Sequence, residues 1–165
     1  MTSSTTTAPS ADDKDQQHPT TKSGTSWPVS IRLNKENVQS GRWETVRWSI
    51  VDLLPRPLTA DDYHILTIEL HLDQRTAYRF NLNSQAPCLF VLCHESDVDN
   101  QLIPVHISAS QDEASSYMDG EHHVLSAEMP VAICCWIEAY LSREGELIDS
   151  GRKKKKSGKG RSSGN

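Results

Sequence analysis

No stretch of this chain holds the roughly 18 consecutive apolar residues that a membrane-crossing helix needs. Its first residues also lack the apolar core behind a positive start that marks a secretory leader. Both absences point to a cytoplasmic protein. In that compartment Cys88, Cys93, Cys134 and Cys135 are expected as free thiols. Apolar residues are scarce as well, 36 % of 165 against ~45–50 % in ordinary globular chains. The shortfall sits at the two ends, so a middle of about 120 residues can still bury one core.

Catalytic spacings are missing too. There is no G-x-S-x-G nucleophile turn and no H-x3-5-H pair. Cys93-His94 and His122-His123 are the groups nearest in kind to a zinc set. Cys88 and Cys93 are five apart, however, and point to opposite faces of a regular strand. On a helix, Cys134 lies at the margin of the apolar stripe and Cys135 nearly opposite it. Asp61-Asp62 reads as a solvated loop or cap. Cysteine catalysis needs a thiolate, a positioned base and an oxyanion site, and no motif supplies the set. No catalytic residue, metal ligand or cofactor is predicted.

What is present begins with charge. Residues 151–165 hold seven basic residues and no acid, so the net −5 leaves −12 on the rest. A folded face that binds nucleic acid is basic, and this body is acidic. Met1–Ser26 is rich in Ser, Thr, Asp and Gln and cannot bury enough surface to offset ordering. The expected organisation is a disordered tail over 1–26, a single domain over 27–145 and a disordered basic tail over 146–165.

Alternation predicts strands within the domain. Val29, Ile31 and Leu33 share one face, and Lys35–Arg42 reads as a polar connection. Val46, Trp48 and Ile50 then face the core, with Trp43, Thr45 and Arg47 opposite, until Pro55 and Pro57 end the strand. Leu66, Ile68, Leu70 and Leu72 alternate cleanly. Tyr78–Leu92 reads as two apolar strands about a turn over 83–87, with Tyr78, Phe80 and Leu82 inward and Cys88–Cys93 covered on both faces. Ile103, Val105 and Ile107 make a sixth strand. Ser110-Gln-Asp-Glu113 has capping-box spacing for a short helix to about Met118. After Pro130, residues Ile133, Trp136, Ile137, Tyr140 and Leu141 form one helical stripe ending at Gly145. The expected class is α+β: an antiparallel twisted sheet or partly open barrel of six to seven strands with two C-terminal helices and disordered tails.

Several short patterns in order carry a resemblance. They are Trp43 and Trp48 before Pro55, Tyr78-x-x-Asn81-Leu82 and Pro87-x-Leu89-Phe90-Val91. Next come Asp112-Glu113-Ala114-x-x-Tyr117-x-Asp119-Gly120, Met129-Pro130, the Trp136 helix and the lysine-rich end. Over about residues 27–156 the chain resembles a small bacterial family of unknown function, commonly encoded beside molybdenum-dependent formate dehydrogenase. The resemblance implies an accessory role in assembly of that enzyme or in its cofactor supply. Some relatives carry labels pointing to molybdopterin-guanine dinucleotide synthesis. That chemistry needs a glycine-rich N-terminal phosphate loop, and the N-terminal half here has only Gly24 and Gly41.

The leading expectation is a non-enzymatic cytoplasmic binding protein linked to formate dehydrogenase maturation, its partner a subunit or maturation factor. One alternative is an enzyme or carrier handling a pterin or nucleotide cofactor. Another is nucleic-acid binding through the basic tail. The candidate partner surface is Trp43 and Arg47, on the face away from the predicted core, with Lys153, Lys154, Lys155 and Lys156. The competing reading of Trp43 is that a helix covers it.

Overall fold

The fold is taken from a computed structural model, which describes residues 21–118 and 120–146. Among these residues six strands form two three-stranded antiparallel sheets, and there are three α-helices. The first sheet, in the order β2-β1-β3, comprises β1 (Ser26–Ser40), β2 (Trp43–Leu54) and β3 (His64–Glu69). The second, β5-β4-β6, comprises β4 (Cys88–Glu95), β5 (Leu102–Ser108) and β6 (His123–Glu128). The helices are α1 (Arg75–Leu82), α2 (Gln111–Ser116) and α3 (Val131–Glu144). β3 lies alongside β5 and β2 alongside β6, but no ladder crosses either seam among the described residues. The α+β class holds. The single sheet of six to seven strands does not, and neither does the count of two helices.

One core joins both sheets to α3. Val29 and Ile31 of β1, Ile68 of β3, and Leu89, Val91 and Cys93 of β4 are fully enclosed. The predicted α3 stripe is buried in full, from Ile133 to Leu141. Trp27 and Trp136 meet edge to face at 5.3 Å. Each indole N–H has a carbonyl acceptor, Pro55 at 2.8 Å and Ser23 at 3.0 Å. These bonds allow two large amphipathic rings to sit in a dry core. They also dock the segment before Trp27 onto α3, while Leu70 N–H donates to the Thr25 carbonyl at 2.8 Å.

The first hairpin is longer than its hydrophobic pattern suggests. Lys35–Ser40, read as a connection, continues β1, and only Gly41-Arg42 turns the chain. Gly41 has φ +65°, the positive first position that a two-residue hairpin turn of the II′ class needs. The distal half has no buried face, so alternation of apolar residues is absent although the ladder continues. Trp48, Ile50 and Leu53 pack on the core. A bulge at Arg32/Leu33 shifts the pairing, which sets Leu33 opposite Ile50 and Arg32 opposite Asp52.

The main correction concerns Tyr78–Leu92. Its second half is a strand, β4, with Leu89 and Val91 in the core and Phe90 and Leu92 under α2. Its first half is α1. Tyr78 is buried as expected, but Phe80 is 69 % exposed and Asn81 is 5 % exposed, the reverse of the strand reading. The reason is the Asn81 amide. Its Nδ2 donates to the carbonyls of Cys88 and Ala109 at 2.7 and 2.8 Å, and its Oδ1 accepts from Cys88 N–H at 3.0 Å. Only the helical spacing of Ala77, Tyr78 and Asn81 puts all three on the core side. Leu72, expected inward, opens a 3-10 turn over Leu72–Gln74 and is 55 % exposed. In β5 a second bulge, at Leu92/Cys93, leaves Ile103 and Val105 outward while Leu102, Pro104 and Ile107 face in.

At the caps, Ser110 Oγ accepts from Glu113 N–H as the box predicts. The Glu113 carboxylate turns instead to Ser108 and His106. Beyond Gly120 the chain forms β6, and no described helix is long and apolar enough to cross a membrane.

Replacing Asn81 by Leu strands two carbonyls and one N–H in the core. This is expected to cost about 3 kcal/mol in urea unfolding, against less than about 0.5 kcal/mol for the exposed Phe80→Ala. The opposite ranking would restore the strand reading of this segment.

Candidate functional site

The predicted surface residues Trp43 and Arg47 lie on the distal half of the first hairpin, beyond the part that packs on the core. In the ladder Ser40 pairs with Trp43, Val38 with Thr45 and Glu36 with Arg47, so Trp43 and Arg47 share a face. Trp43, beside the turn, is 79 % exposed, and no helix covers it. Arg47 stands opposite Glu36, yet no ion pair joins them among the described residues. On the other face Lys35 sits 5.4 Å above the Trp48 ring. Between the arm and β6 opens a cleft of about 580 Å³ lined by Val46, Arg47, Trp48, His123 and Leu125. Lys153, Lys154, Lys155 and Lys156 fall outside the described residues, as do most of both predicted tails.

Charge sets the arm apart. Residues 27–58 carry five basic and three acidic groups, a net +2, whereas residues 59–146 carry three and fifteen, a net −12. The hairpin itself, residues 26–54, carries four basic and three acidic groups, a net +1, within an otherwise acidic domain. One carboxylate within it is neutralised locally. Asp52 Oδ2 accepts from the Arg32 guanidinium and from the Tyr63 hydroxyl at 2.8 Å. The Tyr63 and Arg32 bonds hold the Asp52 carboxyl below the usual range, and the same carboxylate raises Tyr63.

The groups considered for chemistry do not assemble. Cys93 is fully buried and His94 is exposed. The His94 and His122 rings lie 6.5 Å apart and tilted, and His123 reaches Glu95 only at 3.8 Å. No set of three metal-ligating side chains exists among the described residues. Cys134 is half-buried and Cys135 exposed, as helical spacing requires. Burial pushes the Cys93 thiol up to about 12, and it raises Cys134 as well.

Sequence spacing does not single out a serine, a carboxylate and a histidine in contact, but they occur. Ser108 Oγ donates to Glu113 Oε2 at 2.5 Å, and His106 Nε2 lies 2.8 Å from Glu113 Oε1. The order is wrong for nucleophile activation. A base must sit between the hydroxyl and the carboxylate, and here the carboxylate sits in the middle. Ser108 Oγ also accepts from Ser110 N–H at 3.0 Å. The constellation ties the end of β5 to the first turn of α2.

A family model described as "Protein of unknown function (DUF3305)" matches residues 28–156. No curated protein and no solved structure matches the chain.

Two outcomes follow from the titrating groups. With iodoacetamide at mild alkaline pH, peptide mapping is expected to show Cys135 alkylated first and Cys93 only after unfolding, because the thiolate reacts. Early labelling of Cys93 would contradict its burial. The lowered Asp52 carboxyl stabilises the fold fully above the ordinary aspartate pKa. That contribution is lost as pH falls through the folded value, so acid unfolding of Asp52→Asn is expected to be less steep than that of the parent over that interval.

Proposed function

The chain belongs to the DUF3305 family of proteins of unknown function, and for this member we propose a non-enzymatic accessory role in which the β1–β2 arm binds a partner protein. The observation that carries the proposal is Trp43, 79 % exposed beside the turn of a hairpin arm. Isolated exposed aliphatic residues need no explanation. A tryptophan and an arginine without an ion pair among the described residues, on one face of an arm, have the composition of an interface anchor. The arm's net +1 on an otherwise acidic domain favours a partner with an acidic patch, which would speed encounter and orient docking. The Ser108–Glu113–His106 order supports the non-enzymatic side, since its carboxylate is placed to brace rather than to activate.

The resemblance to a family encoded beside formate dehydrogenase names the first partner to test, a subunit or maturation factor of that enzyme. The tagged full chain, expressed in its own bacterium, is expected to copurify with such a protein. Trp43→Ala combined with Arg47→Glu should reduce recovery about tenfold or more without lowering Tm, because both side chains are exposed. Deletion of the gene should lower formate dehydrogenase activity or its cofactor loading. Unchanged activity and loading would remove the formate dehydrogenase assignment, and undiminished recovery with the double variant would remove the arm.

A further inference from the structure

The end of α3 is held against α1. Gly145, with φ +78°, turns the chain off the helix. Arg75 Nη1 donates to the Glu144 and Gly145 carbonyls at 2.7 and 2.8 Å, and Arg79 Nε donates to Glu146 Oε1 at 2.8 Å. Arg75 and Arg79, four residues apart, form one stripe of α1, and they bring the last described residue onto it. Thr76 and Phe80 form the neighbouring stripe. Phe80 is 69 % exposed. With Thr76, Ala77, Gln111 and Asp112 it lines a pocket of about 230 Å³ between α1 and α2. Asp112 is exposed and makes no ion pair or side-chain hydrogen bond among the described residues.

An exposed ring alone needs no partner. This one stands where the chain leaves the domain with two aliphatic side chains next in line. Leu147 and Ile148 follow Glu146 directly and are the only large apolar residues in 147–165. Residues 1–20 hold no Leu, Ile, Val, Phe, Tyr or Trp, so the other terminal segment has nothing comparable to offer. Arg152 opens the basic run four residues beyond Ile148, a span of about 13 Å when extended. Asp112 lines the same pocket as Phe80 and so lies within that span. The family match also runs to residue 156, ten residues past Glu146. The pattern shared with the family therefore takes in the apolar pair and the first five basic residues after it.

We propose that the segment following Glu146 crosses α1 and docks on its outer face. Leu147 and Ile148 pack on Phe80 and the mouth of the pocket, and Arg152 pairs with Asp112. Covering an aromatic ring with two aliphatic side chains supplies the attraction. The Arg75 and Arg79 contacts already fix the start of the segment, which lowers the ordering cost of docking the rest. The basic run over 152–156 is then carried on the domain beside α2. The site is independent of the arm.

A surface contact of this size adds little to unfolding, so the test reads the contact itself by NMR on the isotope-labelled full chain. Nuclear Overhauser contacts are expected between the Phe80 ring and the methyl groups of Leu147 or Ile148. Ring current should also displace those methyls upfield of their random-coil positions. Phe80→Ala should return them to random-coil positions, Asp112→Lys should reduce the displacement about twofold, and Trp43→Ala should leave it unchanged. Leu147→Ser combined with Ile148→Ser should shift amides of α1 and α2 around the pocket and leave those of the arm unmoved. This double variant lies outside the core, so it decides the matter should Phe80→Ala fail to fold. The proposal is overturned by absent ring-to-methyl contacts, by random-coil methyls in the parent, or by amide shifts that map away from α1 and α2. An unchanged displacement in Asp112→Lys removes the Arg152 pairing. Self-association in sedimentation that Phe80→Ala abolishes also overturns the proposal, since a second copy would then cover the ring.

Discussion

One buried amide holds the two halves of the structure in register. Asn81 spends both of its Nδ2 protons and its Oδ1 on main-chain groups at the start of β4 and just past the end of β5. Those groups sit where the strand ladder stops, so without the amide they would be buried and unpaired, each at a cost of about 1–3 kcal/mol. The consequences run outward from there. Fixing Ala109 places Ser110, whose Oγ caps α2 and bonds Gln74 in the turn before α1 at 2.7 Å. Fixing α1 places Tyr78, whose hydroxyl accepts from His71 N–H at 3.0 Å and whose ring meets Tyr140 of α3 edge to face. Arg79 and Arg75, on the same helix, bind Glu138 and the last carbonyls of α3. The helix end thereby gains cations where its dipole favours them. A single polar side chain in the core thus sets the position of three helices.

The same packing explains why six strands do not close into a ring. α3 supplies five buried side chains to a core shared by both sheets, and the sheets must stand far enough apart to accept them. Bulges at Arg32/Leu33 and Leu92/Cys93 bend each sheet around that helix. The result is two seams instead of two ladders. At the β2–β6 seam the cleft is lined partly by the arm. At the β3–β5 seam Pro104, which has no N–H to donate, stands where no ladder forms among the described residues. Both openings follow from the helix that stabilises the core.

How much of this was legible depends on whether burial or backbone was being read. Alternation of apolar residues located β3 and the inner half of β1, and helical spacing located α3 to the residue, because those segments each bury one face. It missed the outer half of β1, where Lys35, Glu36 and Asn37 bury nothing. It misassigned Tyr78–Leu82, where Tyr, Phe and Leu alternate by chance while the deciding contact belongs to a polar residue. A cue was present: Tyr78, Asn81 and Leu82 lie at i, i+3 and i+4, which is helical spacing. Thr67, between Leu66 and Ile68 in the alternation, is buried as well, which nothing local could show. The Ser108–Glu113–His106 contact was half legible, since the capping box placed Glu113 in the first turn while its partners were fixed by β5.

The arm is where local and global requirements part. A two-stranded ribbon gains little from burial on its own, and the register of this one is held at its base by Leu33, Ile50 and the Arg32–Asp52 pair. Beyond that base, stability alone would favour polar residues throughout. Trp43 breaks that pattern beside the turn, where it is 79 % exposed, and Arg47 follows it on the same face with no ion pair among the described residues. Neither residue improves the turn, which rests on Gly41, and neither touches the core. The partner contact proposed above would account for a side chain that costs solubility and returns nothing to the fold.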